Sequence, residues 1–186
     1  MGTLNYAATV SLDGYAADRA GGIAWAAPDA EVFAFHLQRM REVTTEILGH
    51  RTYSMMQYWE DPPESEKLSS DETEFAARWK TLDKHVVSTT LAATQLGADR
   101  TRLLRELCLA DIRRIVAATS GVVEIFGPTT AAEALRACLV DRIELFIHPT
   151  ILGGGLSALP DGVYRKMHLE HTRRFANGTV YLRYVR

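Results

Sequence analysis

The sequence predicts an α/β fold in which a mainly parallel sheet is closed by a C-terminal antiparallel hairpin. Three observations lead there. Short β-rich runs alternate with helical patterns along most of the chain, the order that builds right-handed βαβ units and a parallel sheet. Two of these runs, Val122–Phe126 and the stretch around Ile143, Leu145 and Ile147, end in turn chemistry: Gly127-Pro128-Thr129-Thr130 after the first, Pro149 through Gly153-Gly154-Gly155 after the second. The last two β-rich runs, Lys166–Phe175 and Thr179–Arg186, flank Asn177-Gly178, a dipeptide suited to a two-residue hairpin turn.

The elements follow in order. Leu4, Tyr6, Ala8, Val10 and Leu12 alternate with Asn5, Ala7, Thr9 and Ser11, the period of a strand, and Asp13-Gly14 ends it. A loop with Gly21-Gly22 and Trp25 runs to about Ala27. Pro28 suits the first turn of a helix, Asp29 and Glu31 complement its dipole, and the pattern predicts helix to about Val43. A strand at Glu46–Gly49 leads into His50-Arg51-Thr52 and a short helix through about Trp59. Asp61-Pro62-Pro63-Glu64-Ser65 reads as a loop, followed by a helix over Asp71–Leu82 and a strand at His85–Ser88. Arg102–Glu106 reads as a strand and Ala110–Thr119 as a helix. Thr130-Ala131-Ala132-Glu133 fits a capping box, which would start the next helix at Thr130.

With 186 residues the chain is expected to form one domain, long enough to bury a core without disulfides or metals. Its 47% apolar and 24% charged residues are those of a soluble globular protein. A formal charge of −2 favours neither nucleic acid nor a membrane surface as partner. Cys108 and Cys138 lie in apolar helical patterns and read as small core residues, which fits a reducing, cytoplasmic setting. The chain opens on a strand pattern without a basic, apolar leader, and no window approaches the roughly 18 apolar residues of a membrane span.

Ligands of such sheets bind beyond the carboxyl ends of the strands, which nominates Ser11–Tyr15, Gly49–Tyr53, Ser88–Thr90, Gly127–Thr130 and Pro149–Gly155. The Gly127 turn opens a helix, whose free N–H groups can hold a phosphate, although a plain capped strand-to-helix turn would read the same. Gly49-His50-Arg51-Thr52 adds cationic groups, and Ser88-Thr89-Thr90 adds hydroxyl donors. Three anion-friendly turns on one edge suit a dinucleotide. No Gly-x-Gly-x-x-Gly, phosphate-loop lysine, Gly-x-Ser-x-Gly or Cys-x-x-Cys is present, and the histidines lack metal-site spacing. His148 reads as a strand-end residue, and His168 and His171 as surface residues. Hydride transfer needs no protein nucleophile, because the cofactor carries the chemistry.

The order of motifs resembles the dihydrofolate-reductase-like fold, a single-domain three-layer sandwich. It resembles more closely the C-terminal reductase domain of the bifunctional riboflavin-biosynthesis deaminase–reductase. The matching pieces are Ser11-Leu12-Asp13-Gly14, Leu48-Gly49-His50-Arg51-Thr52-Tyr53, Val87-Ser88-Thr89, Ile125-Phe126-Gly127-Pro128-Thr129-Thr130, and Leu139-Val140-Asp141 leading through His148-Pro149-Thr150-Ile151-Leu152 to the glycine triplet. The resemblance implies NADPH, with Gly49, His50, Arg51 and Thr52 and the run Phe126, Gly127, Pro128, Thr129, Thr130 and Ala131 on the pyrophosphate. It implies Ser88, Thr89 and Thr90 near the adenosine phosphate, and Ala8 beside the nicotinamide. A substrate would lie among Asp13, Tyr15, Trp25, Leu152, Gly153 and Gly154, with Asp13 orienting it or assisting proton delivery. An Asp-Gly turn that merely closes a strand is the alternative for Asp13.

The implied function is hydride transfer to a pyrimidine- or pterin-related substrate, as by 5-amino-6-(5-phosphoribosylamino)uracil reductase. Two alternatives stay open: a dihydrofolate-reductase-like pterin reductase, for which Glu31 would supply the acid on the first helix, and an NADP(H)-binding module without turnover. Thr179–Val185, β-branched and aromatic, would invite pairing as a sheet edge, so a homodimer is expected there.

Overall fold

In the computed structural model, which describes residues 2–63, 65–97 and 100–186, the chain is organised around a central strand covered on both faces. The elements are β1 (Thr3–Ser11), β2 (Tyr15–Ala17), α1 (Ala30–Met40), β3 (Val43–Gly49), α2 (His50–Met56), α3 (Ser70–Thr81), β4 (Asp83–Val87) and β5 (Thr101–Leu104). There follow α4 (Leu109–Ala118), β6 (Val122–Phe126), α5 (Pro128–Arg136), β7 (Arg142–His148), β8 (Leu156–Ser157), β9 (His168–Arg174) and β10 (Val180–Val185). Eight strands form one sheet in the order β5-β4-β3-β6-β1-β7-β10-β9. The first six are mutually parallel, and β10 alone runs against them, paired with β7 on one side and with β9 as the expected hairpin on the other.

Alternation along the strands sorts the two faces. Leu4, Tyr6, Ile47, Val123 and Ile125 pack under Ile112 and Ile115 of α4 and Ala134 and Leu135 of α5. Leu48, Val86 and Val122 pack instead under Met40 of α1 and Trp79 of α3, while Phe146, Phe175 and Tyr181 carry Val32 and Phe35 of α1. Trp79, Tyr6 and Tyr53 are each fully buried. At roughly 25 cal/mol per Å² of apolar area, each contributes about 2–3 kcal/mol to holding a helix on the sheet.

Several boundaries differ from expectation for physical reasons. α1 stops at Met40, because Val43 is already pairing with Val122 at the start of β3. Its cap is Asp29, whose carboxylate accepts the Val32 N–H at 2.9 Å. α5 starts at Pro128, not Thr130: Gly127 is the N-cap at φ 89°, and Pro at the first position needs no N–H partner. The capping box belongs to α3, where Ser69 and Glu72 satisfy each other's backbone N–H groups. Cys108 and Cys138 are exposed, correcting their reading as core residues. Cys108 sits at the start of α4 and donates its Sγ–H to Asp111 at 3.0 Å, and Cys138 turns the chain after α5 at φ 53°.

β10 lies inside the sheet, paired with β7 on one side and β9 on the other, so Thr179–Val185 is no free edge. A two-stranded sheet of β2 and β8 was not foreseen. The Asp61–Ser65 loop includes Glu64, which lies outside the described residues.

Candidate active site

Two turns meet at the carboxyl end of β3 and β6, where Leu48 stands beside Phe126. A Cβ on Gly49 would approach Thr130 Oγ1 to 2.7 Å, and one on Gly127 would meet Thr52 Oγ1 and Thr130 Oγ1 at 3.5 and 3.6 Å. Both turns are therefore stripped of side chains where the Thr52 and Thr130 hydroxyls converge. No side chain caps α5, so the Thr129 and Thr130 N–H groups open into the same space. Ala131 is fully buried and its N–H already closes the first helical bond to the Gly127 carbonyl at 3.0 Å, which removes it from the expected phosphate contacts. Pro128 offers no N–H, and the Phe126 ring packs against the core under α3. Ala8 is half-buried on the α4/α5 face of β1.

At the end of β4, Ser88 turns inward: its Oγ accepts the N–H groups of Thr90 at 3.2 Å and Leu91 at 3.0 Å. Its oxygen shapes the loop, and Thr89 and Thr90 are exposed beside it. Arg105, missed from sequence, grips this loop by donating to the carbonyls of Ser88 at 3.2 Å and Leu91 at 2.7 Å. The signal lay in the register Val87–Leu104, which brings the residue after β5 to the end of β4. His50 is exposed beside the Gly49 turn, and Arg51 reaches away from it to the Gly21 carbonyl at 2.5 Å.

On the other side of β1, Asp13 joins two loops. Its carboxylate accepts the Leu152 and Gly153 N–H groups at 3.1 and 2.7 Å, and the Ser11 hydroxyl at 2.7 Å. The Ser11 bond first, then these backbone bonds, hold its carboxyl below the usual carboxylate range. Asp13 is thus already partnered and clasps the loop at Leu152 and Gly153 to the end of β1. The same Ser11 Oγ accepts the Tyr15 N–H at 2.9 Å, starting β2.

An aromatic column rises along β7 on the α1 face. The His36 ring lies 4.1 Å from that of Phe146, and two residues on, His148 meets the edge of Trp25 at 5.8 Å. Thr9 and Ser11 stand beside Phe146 and His148 in register. Thr9 and His36 are both half-buried at this height. Burial, and then the Arg39 charge, push the His36 pKa down to about 3, so its imidazole is neutral. His148 Nδ1 is 2.9 Å from Thr150 Oγ1. His36, Phe146 and Thr9 escaped the sequence reading because they depend on helix phase and strand pairing. Glu31 does not face this column: it binds Arg173 Nη2 and the Ala176 N–H, both at 3.0 Å, on the closing hairpin.

A family model described as the RibD C-terminal domain matches residues 2–181. The chain belongs to the RibD C-terminal domain family. That family is the pyrimidine reductase of the riboflavin pathway, so this RibD-type domain is a reductase, as its motifs implied. A protein ascribed to riboflavin biosynthesis from Shewanella sp. PV-4 superposes with a TM-score of 0.71 at 22% identity, over 99% of this chain and 98% of that one. Acinetobacter baumannii RibD matches with a TM-score of 0.66 at 15% identity, over 100% of this chain and 58% of its own. Dihydrofolate reductase from Enterococcus faecalis, complexed with NADP(H), matches with a TM-score of 0.62 at 12% identity, over 99% of this chain and 96% of that one. These likenesses establish the dihydrofolate-reductase-like fold. No curated protein sequence matches. Among the described residues no helix is long and apolar enough to cross a membrane, and no three His, Cys, Asp or Glu side chains gather as metal ligands would.

Proposed function

We propose that residues 1–186 work as one NADPH-dependent reductase domain, acting on a pyrimidine- or pterin-related substrate in the manner of 5-amino-6-(5-phosphoribosylamino)uracil reductase. The observation that carries this reading is the meeting of the Gly49 and Gly127 turns, bare of side chains, around the hydroxyls of Thr52 and Thr130. A pyrophosphate fits such a cradle, since open N–H groups and the α5 dipole favour negative charge. When bound, NADPH supplies the hydride.

The chain's own residues bind and orient. Thr52, Thr129 and Thr130 hold the pyrophosphate, and Arg105 with Thr89 and Thr90 supplies charge and hydroxyls for the third phosphate. Trp25, His148 and His36 offer the flat faces on which a heteroaromatic substrate ring stacks, and buried Phe146 backs the His36 ring. His36, kept neutral by burial, carries one ring N–H donor and one ring nitrogen acceptor for such a ring. Asp13 fixes the loop at Leu152 and Gly153 against β1 and so sets the width of the cleft. The engagement of Glu31 by the hairpin weighs against the pterin reading, which needs an acid from α1 in the cleft.

Titration with NADPH and NADH, followed by tryptophan fluorescence and thermal shift, tests the cofactor assignment; no response to either at millimolar concentration overturns it. NADPH binding without oxidation across a panel of aminopyrimidines and reduced pterins would leave a binding module instead.

A further inference from the structure

His148 ends β7 at the carboxyl edge of the sheet, level with Ser11 at the end of β1. Side chains two apart on a strand share a face, so its ring continues the column begun by Phe146. Phe146 is buried, and His148 is half-buried at the outer end. The turn after β7 holds one side of the imidazole: Nδ1 lies 2.9 Å from Thr150 Oγ1. Thr150 is tied at both backbone groups, its N–H donating to the His148 carbonyl and its carbonyl accepting the Leu12 N–H, each at 2.7 Å. Trp25 stands against the ring, with centres 5.8 Å apart and planes at 71°. Nε2, at the far side of the ring, has no hydrogen-bond or ion-pair partner among the described residues.

The charged and titratable groups nearby are engaged elsewhere. Asp13 reaches this end only through Ser11, whose hydroxyl it accepts at 2.7 Å while holding the Leu152 and Gly153 N–H groups. From α1, His36 is kept neutral by burial, Arg39 is paired with Glu124 and Glu144, and Glu31 is held by Arg173 and the Ala176 N–H. From the closing hairpin, Gly178 comes against Pro149, the residue after His148. His148 thus stands at the outer end of the column with a ring nitrogen unclaimed. An imidazole can give up a proton and regain it near neutral pH. Reduction of a C=N or C=O bond needs such a group, because a nicotinamide supplies hydride and no proton.

We propose that His148 is a catalytic residue of the reductase, carrying the proton from its Nε2 to the substrate atom that gains the electron pair, with Thr150 as its positioning residue. This role rests on the reductase reading. The substrate reacts as the open-chain imine of its ribosylamino group. As C1′ takes the nicotinamide hydride and forms a C–H bond, the π pair of C=N passes to nitrogen. That nitrogen takes the proton from His148 Nε2, so the imine is reduced to an amine and NADPH is oxidised to NADP⁺. The imidazole then regains a proton from water.

The full chain is compared with His148→Asn, which can keep a hydrogen bond to Thr150, and with His148→Ala. NADPH oxidation is followed with 5-amino-6-(5-phosphoribosylamino)uracil as substrate. In both variants kcat should fall about a hundredfold, the scale of a lost general acid. The KM, NADPH affinity and melting temperature of His148→Asn should stay near those of wild type. The wild-type rate should fall on the alkaline side, a limb absent from His148→Asn, and added imidazole should restore rate to His148→Ala. A merely structural role would give neither result. In the free protein, NMR of the imidazole nitrogens should show the His148 ring gaining and losing its proton across the active pH range. A ring fixed in one protonation state, a kcat within about twofold of wild type, or a loss confined to KM overturns the proposal. Wild-type protein that binds NADPH but leaves this uracil unreduced defeats the reductase reading and the role of His148 together. A fully active His148→Asn beside an active wild type defeats the role alone.

Discussion

Trp79 donates its indole N–H to Glu46 across 2.8 Å, and both side chains are sealed between the sheet and α3. Lys84 sits above the same indole, its Nζ 4.3 Å from the ring centre. Burial, and next the charge of neighbouring Glu124, push the Glu46 carboxyl up from 4.5 to about 8. The folded state therefore holds a proton that the unfolded chain releases above pH 4.5. Stability from this proton is complete below about pH 4.5 and is lost as pH rises to about 8. Urea unfolding should show that decline between pH 6.5 and 9, above the range in which the lowered pKa of His36 offsets it. Glu46→Gln keeps an acceptor for Trp79, and the decline should flatten in it.

Gly49→Ala separates binding from folding. The backbone at Gly49 has φ −70°, open to any residue, but the new Cβ would press on Thr130 Oγ1. Overpacking of this kind costs about 1–3 kcal/mol. We expect a lowered melting temperature and at least about tenfold weaker NADPH binding, since both strand-end turns must spread. Adding Thr130→Ala should restore the melting temperature and not the affinity, because the hydroxyl is lost. Fluorescence titration beside a thermal melt reads both.

Arg105→Ala should erode the preference for NADPH over NADH. The guanidinium is held against the Ser88 loop by two carbonyls, with its remaining donors outward. Removing it should weaken NADPH by about tenfold and leave NADH within about twofold, as expected for one charged hydrogen-bonding partner. Equal losses for both nucleotides would place Arg105 outside the third-phosphate site.

Asp13→Ala should release the glycine loop without unfolding the protein. Hydrogen exchange at Leu152 and Gly153 should speed up, since Asp13 is their acceptor, while exchange in β1 and β7 stays slow. The sign with pH follows from the lowered carboxyl: the clasp is intact above the ordinary value of 3.8 and is lost as pH falls through the lower folded-state value. Wild-type exchange at these amides should therefore approach that of the variant in acid.

What could be read from the chain before the structure was what repeats locally. The period-two pattern of Leu4 to Leu12 located β1 to within one residue, and Asn177-Gly178 located the closing hairpin. Family motifs located the strand-end turns. Side-chain function at those turns was harder, because a hydroxyl or carboxylate serves ligand and backbone alike. Ser88 and Asp13 both proved to be satisfied by N–H groups of the protein, and only the pairing of distant loops decides that. The two S/T-x-x-E sequences, at Ser69 and Thr130, look equivalent as strings. Ser69 caps its helix, whereas the left-handed Gly127 and Pro128 start α5 two residues before Thr130. The aromatic column was beyond reach, since the pairing of Thr9 with Phe146 spans most of the chain.

That span bears on how the protein is made. Asn5 finds Glu124 119 residues later, and α1 settles on Phe146, Phe175 and Tyr181, the last two supplied by the closing hairpin. As a ribosome extends the chain, β1 waits unpaired until β6 and β7 have emerged, and the floor under Val32 and Phe35 of α1 is incomplete until the hairpin arrives. Such late, non-local closure slows folding and lengthens exposure of the first strand. A nascent chain stalled before Val180 should therefore be readily cleaved by protease in α1, and should gain resistance only when β10 is released from the exit tunnel.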